Sequence, residues 1–395
     1  MSAATPEISA RAAWRFVVLL GIVSLFADLT YEGARSSTGP FLAELGATGT
    51  AVGIIAGLGE LLGYGLRLVS GLLADRTGRY WLITIAGYAV NVLAVPLLAL
   101  AGRWEAAAGL IVAERVGKAL RTPARDAMLS HATHVVGHGR GFGLHEALDQ
   151  VGAVGGPLII TMVLYLGGGY RAGFAILAVP AVLALAALAV ACALYPRPHD
   201  LEPLAPPGDT RGFPRLYWIY LLAASLVAAG YADFPLIAFH FGRTGSVPAG
   251  VIPLLYALAM GVDAIASLAF GSLYDRFGLG VVIVAVLLSA GFAPWVFLGG
   301  LGTATVGMIL WGIGMGAQES ILRAAIAGMV PRDRRGTAYG VFNAAYGLSW
   351  FLGSAAMGRL YDRSVPGVAA LSVGLQLAAL PVLLLVVRQG RSRAA

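Results

Sequence analysis

The sequence predicts an all-α membrane protein, with twelve transmembrane helices arranged as two pseudo-symmetric six-helix bundles. Three observations carry this. The chain is 58% hydrophobic and only 12% charged, with a mean hydropathy of +0.80, whereas a soluble domain carries about 25% charged residues. Twelve segments are apolar over the roughly 20 residues that a helix needs to cross the hydrocarbon core. The stretch GLLADRTGRYW at 71–81 returns in degraded form as GSLYDRFGLG at 271–280, each copy joining two long apolar segments.

In chain order the spans begin near Trp14, Thr50, Trp81, Trp104, Gly141 and Gly173, and then near Leu216, Gly250, Val281, Thr303, Gly336 and Gly367. The first continues through Asp28 and Glu32 with no small-residue cleavage pattern, which argues against a removable signal. Between the sixth and seventh lies YPRPHDLEPLAPPGDTRGFPR, residues 195–215, polar and proline-rich, which reads as a cytoplasmic linker. The expected division is a bundle over 1–195, a linker over 196–213 and a second bundle over 214–395. An even number of spans puts both termini on one side. Of the 27 basic residues 26 are arginines; with the termini inside, 17 fall at cytoplasmic ends and loops, and only Arg103, Arg171, Arg243, Arg359 and Arg363 fall outside. This positive-inside bias places the chain in the inner (plasma) membrane with both termini cytoplasmic, and accounts for the net charge of +7 without nucleic acid. Cys192, the single cysteine, has no intramolecular disulfide partner.

Gly71, Asp75, Arg76, Gly78 and Arg79, echoed by Gly271, Asp275, Arg276 and Gly278, resemble the short cytoplasmic loop signature of the major facilitator superfamily. The resemblance covers nearly the whole chain. It implies two parallel halves with inverted repeats nested in them, a solute site near the midplane between the halves, and a monomer as the working unit. It also implies a cytoplasmic gate of Asp75, Arg76, Arg79, Asp126, Asp275 and Arg276. In that gate Asp75 sits at the positive N-terminal end of segment 11 and Arg79 pairs with Asp126. The second copy has Gly280 where a basic residue would match Arg79, so its latch is expected to be weaker. ERVGKALRTPARDAM at 114–128, GRGFGLHEALDQVGAVGGP at 139–157 and QESILRAAIAGMVPRDRRGTAYGVFNAAYGLSW at 318–350 resemble bacterial efflux permeases of the drug- and nickel-resistance branch.

Charges inside the spans mark the candidate site, because a central charge in a bilayer costs at least about 2.5 kcal/mol. Segment 1 carries Asp28, Glu32 and Arg35 on one helical face. They form either a static ion cluster or groups that act on solute or protons. Segment 4 spaces Glu114, Lys118, Arg121 and Arg125 by four, three and four residues. Lys118, the only lysine, can lose its proton when desolvated, whereas a guanidinium effectively cannot; the alternative is a fixed pair with Glu114. Arg115 stands where the superfamily resemblance implies an intramembrane arginine linked to proton coupling, with carboxylates of segments 1 and 5 as partners. Segment 5 adds His145, Glu146 and Asp149, then Gly152, Gly156 and Pro157, whose GxxxGP spacing resembles the antiporter-associated motif, though Ile159 and Ile160 replace its paired glycines. Close helix packing is the other reading of those glycines. Glu146 and Asp149 share a face and read as proton carriers, with His145 turned away from Glu146 as a helix-contact residue. Overlaid on them in the second half are Asn343 and Tyr346, a neutral polar pair expected to meet solute. Glu319 and Arg323, four apart, read as an intrahelical pair.

The function that follows is secondary active transport by alternating access, most simply proton-coupled export of a small organic solute. The alternatives are metal or metal-complex efflux, a facilitator or symporter, and a membrane sensor that moves nothing. His131, His134 and His138 have a suggestive spacing, but no cysteine is near and a cytoplasmic surface loop is the wrong place for cargo, so no metal site is expected. No GxxxxGK[ST] loop appears, and no nucleophile with a base and an orienter can be assembled, so neither ATP-driven transport nor an enzyme is expected, and no cofactor. Partners are the solute, protons and the lipid bilayer.

Overall fold

The computed structural model describes residues 10–136, 138–196, 212–330 and 335–394. Among these, regular structure is entirely helical. The first half contains α1 (Ala10–Glu44), α2 (Gly49–Thr77), α3 (Tyr80–Leu97), α4 (Trp104–Val136), α5 (His138–Tyr165), α6 (Gly169–Ile176) and α7 (Ala178–Leu194). The second contains α8 (Arg215–Gly230), α9 (Phe234–Thr244), α10 (Ile252–Phe277), α11 (Gly280–Ala290), α12 (Phe292–Phe297), α13 (Leu301–Met329), α14 (Arg335–Tyr361) and α15 (Val365–Ala394). Fifteen helices make twelve spans because three spans are interrupted, between α6 and α7, α8 and α9, and α11 and α12. Nine spans among the described residues are long and apolar enough to cross a membrane by composition alone. The other three, α4, α13 and α14, have 33, 29 and 27 residues, so length is not what they lack.

Both copies of the duplicated hinge end a helix at a glycine of positive φ. Gly78 and Gly278 have φ of 64° and 65°, a left-handed conformation that ends a helix with little strain only for glycine. Their amides close on Ala74 and Tyr274 carbonyls at 2.9 and 2.7 Å. This explains why the glycine survives in the copy that has lost its terminal arginine. The most consequential interruption is Tyr231–Asp233, where Pro235 lies within the first turn of α9. The carbonyls freed there are met by side chains. Gly230 O accepts from Ser372 Oγ (2.6 Å) and Gln376 Nε2 (3.3 Å) on α15, and Ala232 O accepts from Trp311 Nε1 (3.0 Å) on α13. A break at bilayer depth is tolerated only when its backbone groups are satisfied in this way.

The chain groups into two compact units, one of residues 1–34, 66–101 and 109–205, the other of residues 35–65, 102–108 and 206–395. The chain therefore passes from one unit to the other inside α1, inside α2 and again inside α4. In the first unit Val23, Ala27, Tyr88, Val92, Ala181 and Leu188 form one apolar core and Phe16, Leu20, Tyr80, Met128 and Leu129 another. There α5 lies against the backbone of α1: a Cβ on Gly152 would fall 2.7 Å from Asp28 Cβ, and one on Gly156 would fall 2.7 Å from the Gly33 amide. The GxxxGP glycines thus allow close helix contact. In the second unit the start of α2 lies equally close to the end of α14, where a Cβ on Gly53 would meet the Ser354 carbonyl and come within 2.7 Å of Gly358 Cα. The expected linker at 196–213 falls almost wholly outside the described residues.

Candidate functional site

In the first unit the charged face of α1 meets α4. Asp28 and Glu32 are buried, as are Glu114, Arg115 and Arg121. Arg121 Nη2 stands 3.7 Å from Asp28 Oδ1, outside normal hydrogen-bonding distance, and this buried oxygen accepts no hydrogen bond among the described residues. The guanidinium instead lies 4.3 Å over the Tyr88 ring, a favourable position for a cation on an aromatic face. One turn along, Lys118 Nζ donates to Tyr31 OH at 2.7 Å and lies 3.8 Å from Glu32 Oε1. Lys118 is therefore not the partner of Glu114. Asn91 Nδ2 donates to Glu114 Oε1 at 2.7 Å and Arg115 Nε lies 3.3 Å from Oε2. Arg115, expected to reach carboxylates of segments 1 and 5, has its own neighbour Glu114 as one partner.

The two carboxylates expected on α5 differ in exposure. Asp149 turns inward, with His145 Nδ1 3.4 Å and Arg125 Nη1 3.8 Å from Oδ2. Glu146 is exposed and accepts from Gln150 Nε2 at 3.4 Å. A three-residue step leaves the two side chains on one face but offset by about 60°, enough for Glu146 to be the more exposed. His145 belongs with Asp149, and its Nε2 lies 3.1 Å from Ser24 Oγ, which also accepts from Arg125 Nη1 at 2.7 Å. The four-residue spacing of His145 and Asp149 was the available signal.

Arg35 shares a helical face with Asp28, but seven residues carry it about 10 Å further along α1 and into the second unit. There Arg35 Nη2 donates to Glu60 Oε1 at 2.9 Å and Asp233 Oδ1 at 2.7 Å, and all three side chains are buried. The expected three-charge stripe is therefore two arrangements, one in the first unit with a slack contact on Asp28 and a tight one on Arg35. Sequence reasoning passed over Glu60 although it is a lone carboxylate in an apolar segment, and likewise Asn91. The second unit also contains a small cleft walled by Tyr64, Met315, Gln318, Glu319, Phe342, Tyr346 and Trp350. Tyr346 OH donates to Gln318 Oε1 at 2.7 Å, and its ring packs 5.3 Å from Tyr64, 5.4 Å from Phe342 and 5.6 Å from Trp350. Asn343 is half-buried, is not part of the cleft wall, and its Oδ1 accepts no hydrogen bond among the described residues. The side chain of Arg323 lies outside the described residues.

Broken spans, buried ion pairs and a midspan cleft lined by both polar and aromatic groups are features of solute carriers. The sequence matches the Major Facilitator Superfamily over residues 20–354. The chain belongs to that superfamily. It is 44% identical over 387 residues to an uncharacterized protein of Mycobacterium tuberculosis, covering 96% of this chain and 94% of that one. It is 28% identical over 359 residues to an uncharacterized MFS-type transporter of Methanocaldococcus jannaschii, covering 88% and 89%. The nucleoside transporter NupG superposes with a TM-score of 0.75 at 13% identity, covering 94% of this chain and 99% of NupG, a likeness of fold alone. The chain is a multi-pass membrane transporter and not an enzyme.

Of the superfamily's expected gate, the side chain of Asp75 lies outside the described residues, and Arg76, Arg79, Asp275 and Arg276 are exposed. The expected Arg79–Asp126 pair is not the one formed. Asp126 Oδ1 accepts from Arg125 Nε at 2.9 Å and Nη2 at 2.8 Å, because a guanidinium one residue away presents two donors to the same oxygen. The histidine stretch is helical and not a loop, with His131 and His134 in α4 and His138 opening α5; their side chains lie outside the described residues, and no three-ligand metal cluster occurs among those described. A contact that sequence reasoning missed lies at the other end of α2. Asp362, just beyond α14, accepts from the Gly49 and Thr50 amides, each at 2.8 Å, and from Thr50 Oγ1 at 2.6 Å, with Arg243 Nη1 3.8 Å away. Partial burial pushes the Asp362 carboxyl up, but the Thr50 hydroxyl, the two amides and Arg243 outweigh it and hold the group below its ordinary value.

Proposed function

We propose that the chain is a secondary active transporter of the inner membrane, with both termini cytoplasmic, that exports a small organic solute in exchange for protons by alternating access. The observation that carries the coupling is the slack pairing of Asp28. Its carboxylate is buried, stands 3.7 Å from Arg121 and leaves Oδ1 without a hydrogen bond among the described residues. Such a contact holds a carboxylate less firmly than the 2.7 Å contact of Arg35 with Asp233. A proton can therefore compete with the cation. When the carboxylate moves between a cationic partner and a drier place, charge and desolvation both raise its proton affinity, so pairing and protonation exclude each other.

Asp28, Glu32 and Asp149 are the candidate carriers, with Glu146 a fourth on the exposed side of α5. Lys118 and Arg121 are the cations that release them. Export is supported by the resemblance of residues 114–128 and 139–157 to efflux permeases, and the orientation by the arginine bias. The test uses proteoliposomes loaded with a pH indicator and challenged with a panel of small organic solutes. Asp28→Asn is expected to abolish pH-driven flux while leaving exchange between equal solute concentrations measurable. If Asp28, Glu32, Glu146 and Asp149 can each be neutralised with pH-driven flux intact, the chain is a facilitator and the coupling assignment is wrong.

A further inference from the structure

Ser24 on α1 joins α3, α4 and α5 through a hydroxyl whose hydrogens can be counted. Its Oγ lies 2.7 Å from Arg125 Nη1, 3.1 Å from His145 Nε2 and 3.3 Å from Tyr88 OH, and Ser24, Tyr88 and His145 are buried. A hydroxyl has one hydrogen to give and two lone pairs on which to receive. Arg125 can only donate and takes one lone pair. Of His145 and Tyr88, one therefore donates to Ser24 and the other accepts from it. On the far side of the ring His145 Nδ1 faces Asp149 Oδ2 at 3.4 Å, a little beyond a normal hydrogen bond. The second carboxyl oxygen, Oδ1, is buried and accepts no hydrogen bond among the described residues.

Two arrangements satisfy these constraints. While Asp149 is ionised its Oδ2 can only accept, so a neutral His145 has its hydrogen on Nδ1. Nε2 is then bare, Ser24 donates to it, and Tyr88 donates to Ser24. Once the pair holds a proton more, both Nε2 and the contact between Oδ2 and Nδ1 carry a hydrogen. The order then reverses: His145 donates to Ser24, which donates to Tyr88. One hydrogen is gained and none is lost. A proton on Oδ1 instead would be a buried donor with no acceptor. On the reversed path the hydrogen left over is that of Tyr88, and two buried oxygens of the same helix, Thr84 Oγ1 and Asn91 Oδ1, one turn to either side, have no hydrogen-bond partner among the described residues. Tyr88 must turn to use them, and its ring carries the Arg121 guanidinium at 4.3 Å, the cation that faces Asp28.

We propose that the contact of Asp149 with His145 is a proton-binding site and that His145 is a positioning residue, which transmits the proton by reversing the hydrogen bonds of Ser24 and Tyr88. The charged groups that face the pair among the described residues are Arg121 and Arg125 of α4, Asp28 of α1 and Glu146 on α5 itself. A proton at Asp149 is thereby felt at Asp28 through Tyr88 and Arg121. This deepens the proton-coupled reading proposed above and rests on it for its part in transport.

The test is nuclear magnetic resonance of the full-length chain in lipid nanodiscs, titrated with no gradient. Isotope labels are placed at histidine nitrogen, at the aspartate carboxyl carbon and at the hydroxyl-bearing carbon of tyrosine, and the signals are assigned by their loss in His145→Gln, Asp149→Asn and Tyr88→Phe. In the unaltered chain, proton uptake by Asp149 and His145 should put hydrogen on His145 Nε2, and the Tyr88 signal should shift in step with it. Ser24→Ala cuts the connection but keeps the contact of Asp149 with His145, so the pair should still take up its proton while the Tyr88 shift is lost. His145→Gln should likewise silence Tyr88 while Asp149 still titrates. A Tyr88 that only sensed the new charge through space would go on shifting in both variants. No proton uptake by the pair while the chain stays folded, a bare Nε2 after uptake, a Tyr88 signal indifferent to pH, or a Tyr88 shift that survives Ser24→Ala would each overturn the proposal. The first three are read on the unaltered chain, so no variant has to fold for the proposal to fail. Loss of pH-driven flux in Asp28→Asn would leave these readings standing, and a fixed His145 would leave Asp28 and Glu32 as carriers, so the two ideas fail separately.

Discussion

Replacing Asp362 by alanine removes the acceptor of three hydrogen bonds at the start of α2, from the Gly49 amide, the Thr50 amide and the Thr50 hydroxyl at 2.8, 2.8 and 2.6 Å. The geometry is that of a helix N-cap supplied from a distant part of the chain, and loss of such a cap costs about 1 kcal/mol. Arg243 adds nothing measurable, because it is 55% exposed and 3.8 Å away. About 1 kcal/mol is roughly a fivefold change in an equilibrium, so the two amides should exchange with solvent deuterium about five times faster in Asp362→Ala, read by mass spectrometry on peptides spanning residues 46–53. Asp362→Asn should lose less, since asparagine also caps and forfeits only the charge–dipole part. The pH dependence has a definite sign. Asp362 titrates below its ordinary value when bound, so its contribution is complete above about pH 4. It is lost as the pH falls through the depressed value. Unchanged exchange in the alanine variant at neutral pH, or equal effects of alanine and asparagine, would refute the capping argument.

Two further outcomes follow from packing and charge. Gly53→Ala would drive a methyl against the Ser354 carbonyl and Gly358, an overpacking worth about 1–3 kcal/mol, and should lower Tm in detergent by about 2 °C or more. Gly63→Ala, with open space around it, should leave Tm unchanged. In the buried triad, Arg35→Met removes the cation that Glu60 and Asp233 share and should cost about 3–5 kcal/mol. Asp233→Asn keeps one cation and one anion and should cost less; a larger loss of Tm for Asp233→Asn than for Arg35→Met would contradict the reading of Arg35 as the shared partner.

The spans were legible because each needs only an apolar run of sufficient length, and the hinge because both copies must turn through a left-handed glycine. Charged positions were legible too, since Asp28, Glu32, Lys118 and Asp149 stand out in lipid. Their partners were not. Whether Lys118 serves Glu114 on its own helix or Glu32 on another depends on helix rotation and on Asn91 reaching Glu114 first, which spacing along one helix does not encode. A shared face did not tell which groups Arg35 meets, because about 10 Å of rise separates it from Asp28 and its partners Glu60 and Asp233 lie on other helices. Asp362 gave no signal, because an acidic residue after a helix looks like any solvated loop charge until the amides of residues 49 and 50 are brought to it. Hydropathy alone flags nine spans. The three it leaves out include α4, which carries most of the buried basic residues, so the segments hardest to recognise as membrane-spanning are those richest in candidate function.

The interruption at Tyr231–Asp233 has a consequence for biogenesis. The carbonyls it frees are satisfied by Trp311, 79 residues later than Ala232, and by Ser372 and Gln376, 142 and 146 residues later than Gly230. At the ribosome this segment emerges long before any of these donors exists. It must therefore wait, held by water, the insertion machinery or provisional helical bonds, until α15 has been made. A nascent chain stopped before residue 372 retains an exposed polar break that lipid cannot satisfy, a local mark by which an incomplete product differs from a finished one.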